Sequence, residues 1–201
     1  MKKLAILSTI VLVVLLPVVS VIGCQQQPKP TPPAPTPTPI PGPVHGISCE
    51  YPEGWVGSVT EMELDPARPV HYNIIRTVTV FAGPLVGEYD YMVNIKIVRE
   101  ELPKDRTLED YVRIVEEDTK RQYIDYTKVD EYSTTIGGLS AIVRTFTATT
   151  MDVRLKNIQA LFIEDTDNVG YVITYDVPEE FHDEYADSFE LVISTVKFGW
   201  K

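Results

Sequence analysis

The sequence predicts an α+β fold, an antiparallel β-sheet with helices packed on it. Three observations lead there. Segments rich in β-branched and aromatic residues are separated by turn signals, as strands require. The pair Gly137-Gly138 sits between two of them, a good two-residue hairpin signal. Two other stretches space their apolar residues at three and four, the period of an amphipathic helix.

In chain order, residues 47–51 read as a short strand, with Ile47, Cys49 and Tyr51 alternating on one face. Pro52-Glu53-Gly54 suits a type I turn counted from Tyr51, proline second and glycine fourth, with Trp55 after it. Strands are expected at 74–82 and 91–98. Thr107 then caps a helix whose first turn carries Glu109 and Asp110, favourable at a helix start. Leu108, Tyr111, Val112, Val115 and Thr119 form its buried stripe, running to about Tyr123. Segments 126–135 and 139–149 flank the paired glycines. Segments 154–164 and 170–177 continue the meander, broken at Asp165-Thr166-Asp167-Asn168. In the last strand Tyr171, Ile173, Tyr175 and Val177 share a face. Pro178-Glu179-Glu180 opens a final helix with Tyr185, Phe189, Val192 and Val196 as its apolar stripe. No internal repeat is present.

Ahead of this domain, Lys2 and Lys3 precede an uncharged run, residues 4–23, closed by Cys24. A basic start, an apolar middle and a small residue before the break form the layout of an export signal. Val21-Ile22-Gly23-Cys24 resembles the lipobox of bacterial lipoproteins. That resemblance implies that residues 1–23 are a lipoprotein signal peptide and that Cys24 is acylated as the first residue of the mature chain. An uncleaved helix is one alternative, since about twenty apolar residues span a bilayer. A cleaved signal without lipid is the other. The lipoprotein and the uncleaved helix both place the rest of the chain outside the cytoplasm and tied to a membrane. Two or three acyl chains such as palmitate on Cys24 anchor stably where one does not. Gln25 stands where some lipoproteins carry the aspartate that keeps them at an inner membrane.

Residues 24–46 comprise this cysteine and a spacer, QQQPKPTPPAPTPTPIPGP from Gln25 to Pro43, which holds no large apolar side chain beyond Ile40. Such a composition forms no core and favours polyproline II. At about 3.1 Å per residue it stands the domain off by up to roughly 70 Å. The folded domain, 47–201, has about 155 residues, enough to bury a core without staples. With Cys24 committed to lipid, Cys49 has no disulfide partner within the chain and reads as a small buried residue.

Losing Lys2 and Lys3 takes a chain of 18 Lys and Arg against 29 Asp and Glu from −11 to about −13. That balance argues against nucleic acid and against adhesion to anionic headgroups, and fits basic partners or cations.

Three places resemble the PsbP-like family, whose fold is shared with the eukaryotic Ran-binding Mog protein. They are Tyr51-Pro52-Glu53-Gly54-Trp55, similar to an opening "YP.GW", Thr107-Leu108-Glu109-Asp110-Tyr111, similar to "SLE.Y", and Gly137-Gly138-Leu139-Ser140-Ala141 before strands that lead to a helix ending Val196-Lys197-Phe198. The resemblance spans roughly 47–198 and implies an α/β/α sandwich. These are packing and turn motifs, silent about activity. Plant members are extrinsic subunits supporting the oxygen-evolving complex of photosystem II, and bacterial relatives are often lipoproteins. No photosystem contact is matched here, so that role is not carried over.

Catalytic and cofactor motifs are absent from the sequence: no Gly-x-Ser-x-Gly, no His-Glu-x-x-His, no phosphate loop and no paired-cysteine metal site. His45 and His71 read as surface residues. Glu179, His182 and Asp183 share a face if their segment is helical, a weak candidate site for a divalent cation beside the plainer reading as solvated helix-start acids. The loop Glu164-Asp165-Thr166-Asp167-Asn168 lacks the twelve-residue calcium pattern and reads as a hairpin connection. Trp55 and Trp200 read as core or rim anchors, and several of the 11 tyrosines stand near acids, which suits either a recognition surface or packing on a half-covered sheet face. The sequence therefore points to a non-enzymatic accessory or binding module, with no cofactor, that meets a protein or small-molecule partner. The alternative is a small extracytoplasmic hydrolase or lyase using carboxylates such as Asp183 and Glu184.

Overall fold

The computed structural model describes residues 46–63 and 75–199. The signal segment, Cys24, the spacer, His45, His71 and Trp200 lie outside the described residues. Nine strands and two helices follow in order: β1 (Ile47–Ser48), β2 (Val56–Glu63), β3 (Ile75–Val86), β4 (Tyr91–Glu101), α1 (Leu108–Gln122), β5 (Ile124–Ile136), β6 (Leu139–Thr150), β7 (Val153–Glu164), β8 (Val169–Asp176), α2 (His182–Thr195) and β9 (Lys197–Phe198). Seven of the strands make one sheet in the order β2-β3-β4-β8-β7-β6-β5, antiparallel at every pairing. The short β1 and β9 pair separately, Ile47 opposite Phe198. No helix among the described residues is long and apolar enough to cross a membrane.

The expected α+β architecture is present. Thr107 caps α1 as expected, its hydroxyl accepting from the Asp110 amide at 3.1 Å. Gly137 and Gly138 turn the β5–β6 hairpin with φ of 57° and 88°, the two positive values a type I′ turn needs. Several details differ from expectation. Strand β2 is present although the apolar pattern does not predict it, and β1 ends at Ser48 instead of Tyr51. The first turn is set one residue later: the Trp55 amide donates to the Pro52 carbonyl at 3.2 Å, and Gly54 takes φ 83° as third residue, the place where a type II turn requires glycine. Strand β3 runs on through Gly83-Pro84, because a register shift between Ala82 and Leu85 absorbs them as a bulge. Glu179–Phe181 form a 3₁₀ turn ahead of α2, and Val196 ends that helix instead of lying within it.

Each face of the sheet is covered by one helix. On the α2 face Phe81, Val93, Ile95, Phe162, Ile173 and Tyr175 pack with Phe189 and Val192 in the larger apolar core. Burying such side chains contributes about 1.5–3 kcal/mol each. Cys49 and Trp55 pack at its margin, and burial pushes the Cys49 thiol up to about 11, so it is held as a neutral, unreactive thiol.

On the α1 face Tyr111 and Val112 rest on Leu161, Ile163 and Val172. Beside this smaller core lies a polar row. Arg144, Gln159, Thr174 and Lys96 stand opposite one another on β6, β7, β8 and β4. Arg144 is fully buried and donates to Gln159 Oε1 through Nε (2.9 Å) and Nη2 (2.7 Å), and to the Val112 carbonyl through Nη1 (3.3 Å). Gln159 Nε2 donates onward to Thr174 Oγ1 at 3.3 Å. Lys96 pairs with the buried Asp176, which also accepts from the Tyr123 hydroxyl at 3.3 Å. Donors and acceptors are matched along this row, which is what makes buried polar groups tolerable.

Candidate functional site

The concave feature with the clearest chemistry is a cleft of about 640 Å³ where three turns meet at one end of the sheet. The β3–β4 turn supplies Glu88 and Tyr89, and the strand ends beside it supply Val86 and Tyr91. The β6–β7 turn supplies Asp152, with Val153 and Arg154 behind it. The link from β8 to α2 supplies Pro178, Glu179 and Glu180. That volume lies within the range of small-ligand pockets.

Turn chemistry presents these groups. Met151 and Asp152 both have positive φ, 47° and 64°, so the β6–β7 hairpin is a two-residue turn built without glycine. Aspartate tolerates that conformation better than methionine does. Gly87, φ 70°, brings the neighbouring turn close to Phe181 and Glu180: a β-carbon there would lie 3.5–3.6 Å from their side chains. Val86, Val153 and Pro178 make a buried apolar floor, and Tyr91 is half-buried above it. Tyr89 is 63% exposed. Its hydroxyl bonds to Glu88, and with the charges of Glu88 and Asp152 this holds the phenol above its ordinary value.

The charge is one-sided. Glu88, Asp152, Glu179 and Glu180 face a single base, Arg154. Arg154 is itself engaged, donating from Nη2 to Thr147 Oγ1 at 2.7 Å and lying 3.7 Å from Glu179. No basic side chain among the described residues forms an ion pair with Glu88, Asp152 or Glu180.

The residues singled out from sequence fall around this cleft in different ways. Glu179 lines it, but His182 and Asp183 do not. The expected helical face does not form, because Glu179 sits in the 3₁₀ turn and α2 begins only at His182. The His182 ring is buried against Tyr175, 5.7 Å between centroids, while Asp183 is 94% exposed and 2.8 Å from His182 Nδ1. That hydrogen bond, with the Lys156 and His182 charges, holds the Asp183 carboxyl below its ordinary value. Among the described residues no three His, Cys, Asp or Glu side chains gather as a metal-holding group. Glu184, like Asp183, is exposed and outside the cleft. In the acidic loop Glu164 turns inward and accepts from the Thr166 amide (2.7 Å) and the Asp167 amide (3.1 Å), closing the β7–β8 hairpin. Glu88 and Asp152 carried no signal in the sequence, and Tyr89 and Tyr91 only the general one of tyrosines beside acids, since their meeting depends on sheet register.

No protein-family model matches the chain, and no curated protein matches it by sequence. Solved structures do share its fold. LpqN of Mycobacterium tuberculosis, a protein involved in cell envelope biogenesis, is similar with TM-score 0.55 and 14% identity, over 81% of this chain and 90% of LpqN. The solution structure of PsbP (CyanoP) from Synechocystis sp. PCC 6803 is similar with TM-score 0.52 and 16% identity, over 77% of this chain and 87% of that one. A Pseudomonas aeruginosa protein of unknown function is similar with TM-score 0.50 and 14% identity, over 66% and 91%. The fold is PsbP-like, and the likeness is one of fold alone.

Proposed function

We propose that this chain is a lipid-anchored extracytoplasmic module that binds a partner and catalyses nothing itself, with the cleft at the end of the sheet as its recognition site. One observation carries the proposal: over an apolar floor the cleft gathers four carboxylates, and Glu88, Asp152 and Glu180 have no basic ion-pair partner among the described residues. Unpaired charge over an apolar floor suits recognition. The Cys24 motif and the proline spacer supply the tether. The part LpqN plays in cell envelope biogenesis supports an envelope location for a chain of the same fold.

The tether is tested by expressing the full-length chain in a bacterium, fractionating membranes and weighing the N-terminal peptide. The expected result is a membrane-bound protein whose mature N-terminus is an acylated Cys24, and a Cys24→Ala variant that loses both the lipid mass and the membrane. A Cys24→Ala variant that stays membrane-bound, with an unmodified peptide in the parent, would sink the anchor.

A further inference from the structure

The geometry points to a basic segment of a partner protein, Lys or Arg residues interleaved with apolar ones, as the occupant of this cleft; the inference rests on reading the chain as a binding module. Charge complementarity decides the sign. Four carboxylates line the cleft against one engaged arginine, so an anionic surface or nucleic acid is repelled and a cationic segment attracted. The spread of those carboxylates decides the size of the ligand. They come from three separate turns around about 640 Å³, and no three converge as metal ligands among the described residues, so an extended cation fits better than a single ion.

Apolar surface beside the acids supplies the second half of the match. Tyr89 is 63% exposed in the cleft, and Met151, next to Asp152, is 91% exposed. Tyrosine and methionine are enriched where proteins dock. A lysine or arginine stem lies along such a ring while its head reaches a carboxylate, and the cation gains from the ring face as well. Val86, Val153 and Pro178 offer an apolar floor to a neighbouring leucine or phenylalanine.

The test is fluorescence anisotropy with the full-length chain in detergent and a short labelled peptide alternating Lys with Leu, alongside the same peptide with Glu replacing Lys. The Lys peptide should bind saturably and weaken with added salt, and the Glu peptide should not bind. Glu88→Gln with Asp152→Asn should raise Kd about tenfold, the effect of roughly 1.4 kcal/mol, and Tyr89→Ala should raise it severalfold. Asp187→Asn with Glu190→Gln, exposed on α2 away from the cleft, should leave Kd unchanged. Equal weakening by both pairs would show generic attraction to an acidic protein and overturn the assignment, as would saturable binding of the Glu peptide or none of the Lys peptide. Membrane release by Cys24→Ala is read separately, so failure of the cleft and failure of the tether are told apart.

Discussion

The polar row beneath α1 and the open cleft handle charge in opposite ways. In the row and the helix over it every charge is answered: Arg144 by hydrogen bonds to Gln159 and Val112 and by Glu116 at 3.7 Å, Lys96 by Asp176, and Asp176 again by Tyr123. In the cleft Glu88, Asp152 and Glu180 have no basic ion-pair partner among the described residues. Burial explains the contrast. Unpaired charge beneath a helix costs several kcal/mol, so the row must be satisfied for the chain to fold. Exposed carboxylates cost little, so the cleft is free to keep its charge for something else. Paired charges therefore mark structure in these two regions, and exposed unpaired carboxylates mark surface available to a ligand.

Breaking the row gives the largest effect. Gln159→Leu removes the acceptor of two Arg144 hydrogen bonds in a fully buried place and should cost about 3 kcal/mol. The double variant Arg144→Met with Gln159→Leu should recover most of that loss, because no charge is then stranded. Denaturant unfolding measures both, and a double variant as unstable as the summed single variants would remove the distinction drawn here.

The cleft should respond in the other direction. Replacing Met151-Asp152 by Asn-Gly relieves two positive-φ positions and should stabilise the protein by about 1 kcal/mol. It deletes a cleft carboxylate at the same time, so the basic peptide should bind more weakly to the more stable protein. A loss of stability would mean that Met151 or Asp152 holds the hairpin by contacts of its own.

Acid titration shows a smaller effect. Burial alone raises the Glu116 carboxyl, but the Lys120 hydrogen bond and the Lys128, Lys120 and Arg144 charges outweigh it and hold it below its ordinary value of 4.5. A carboxyl depressed on folding adds stability above its unfolded pKa, and that stability is lost as pH falls through the folded value. Glu116→Gln should therefore flatten the loss of stability below about pH 4.5. Unchanged slopes in pH-dependent melting would show that these bases do not stabilise the charged form.

The sequence made these regions legible to different degrees. Helix α1 was readable because a hydroxyl cap, first-turn acids and a 3.6-residue stripe agree. The β5–β6 turn was readable because only its glycines carry positive φ at no cost. Strand β2 was not read, since it is an edge strand whose first residues, including Val56 and Val59, are exposed and show no apolar alternation. The break between 149 and 154 was readable, but the two-residue turn with positive φ at both Met151 and Asp152 was not, because only Asp152 is a usual turn residue. Of the candidate site only Glu179 was singled out, and for a cation. The cleft is assembled from residues near 88, 152 and 180 by the order β3-β4-β8-β7-β6, and no local pattern carries that register.

The melting temperature of a cleft-neutral variant, Glu88→Gln, Asp152→Asn and Glu180→Gln together, tests most directly the claim that these charges are not held for the fold. At low salt it should match or exceed that of the parent, because repulsion is removed, no ion pair is broken, and a glutamine at 88 can still accept from the Tyr89 hydroxyl. A fall of several degrees, on the order of 1 kcal/mol or more, would show that the carboxylates stabilise the structure and would contradict the reading of the cleft as a surface kept for a ligand.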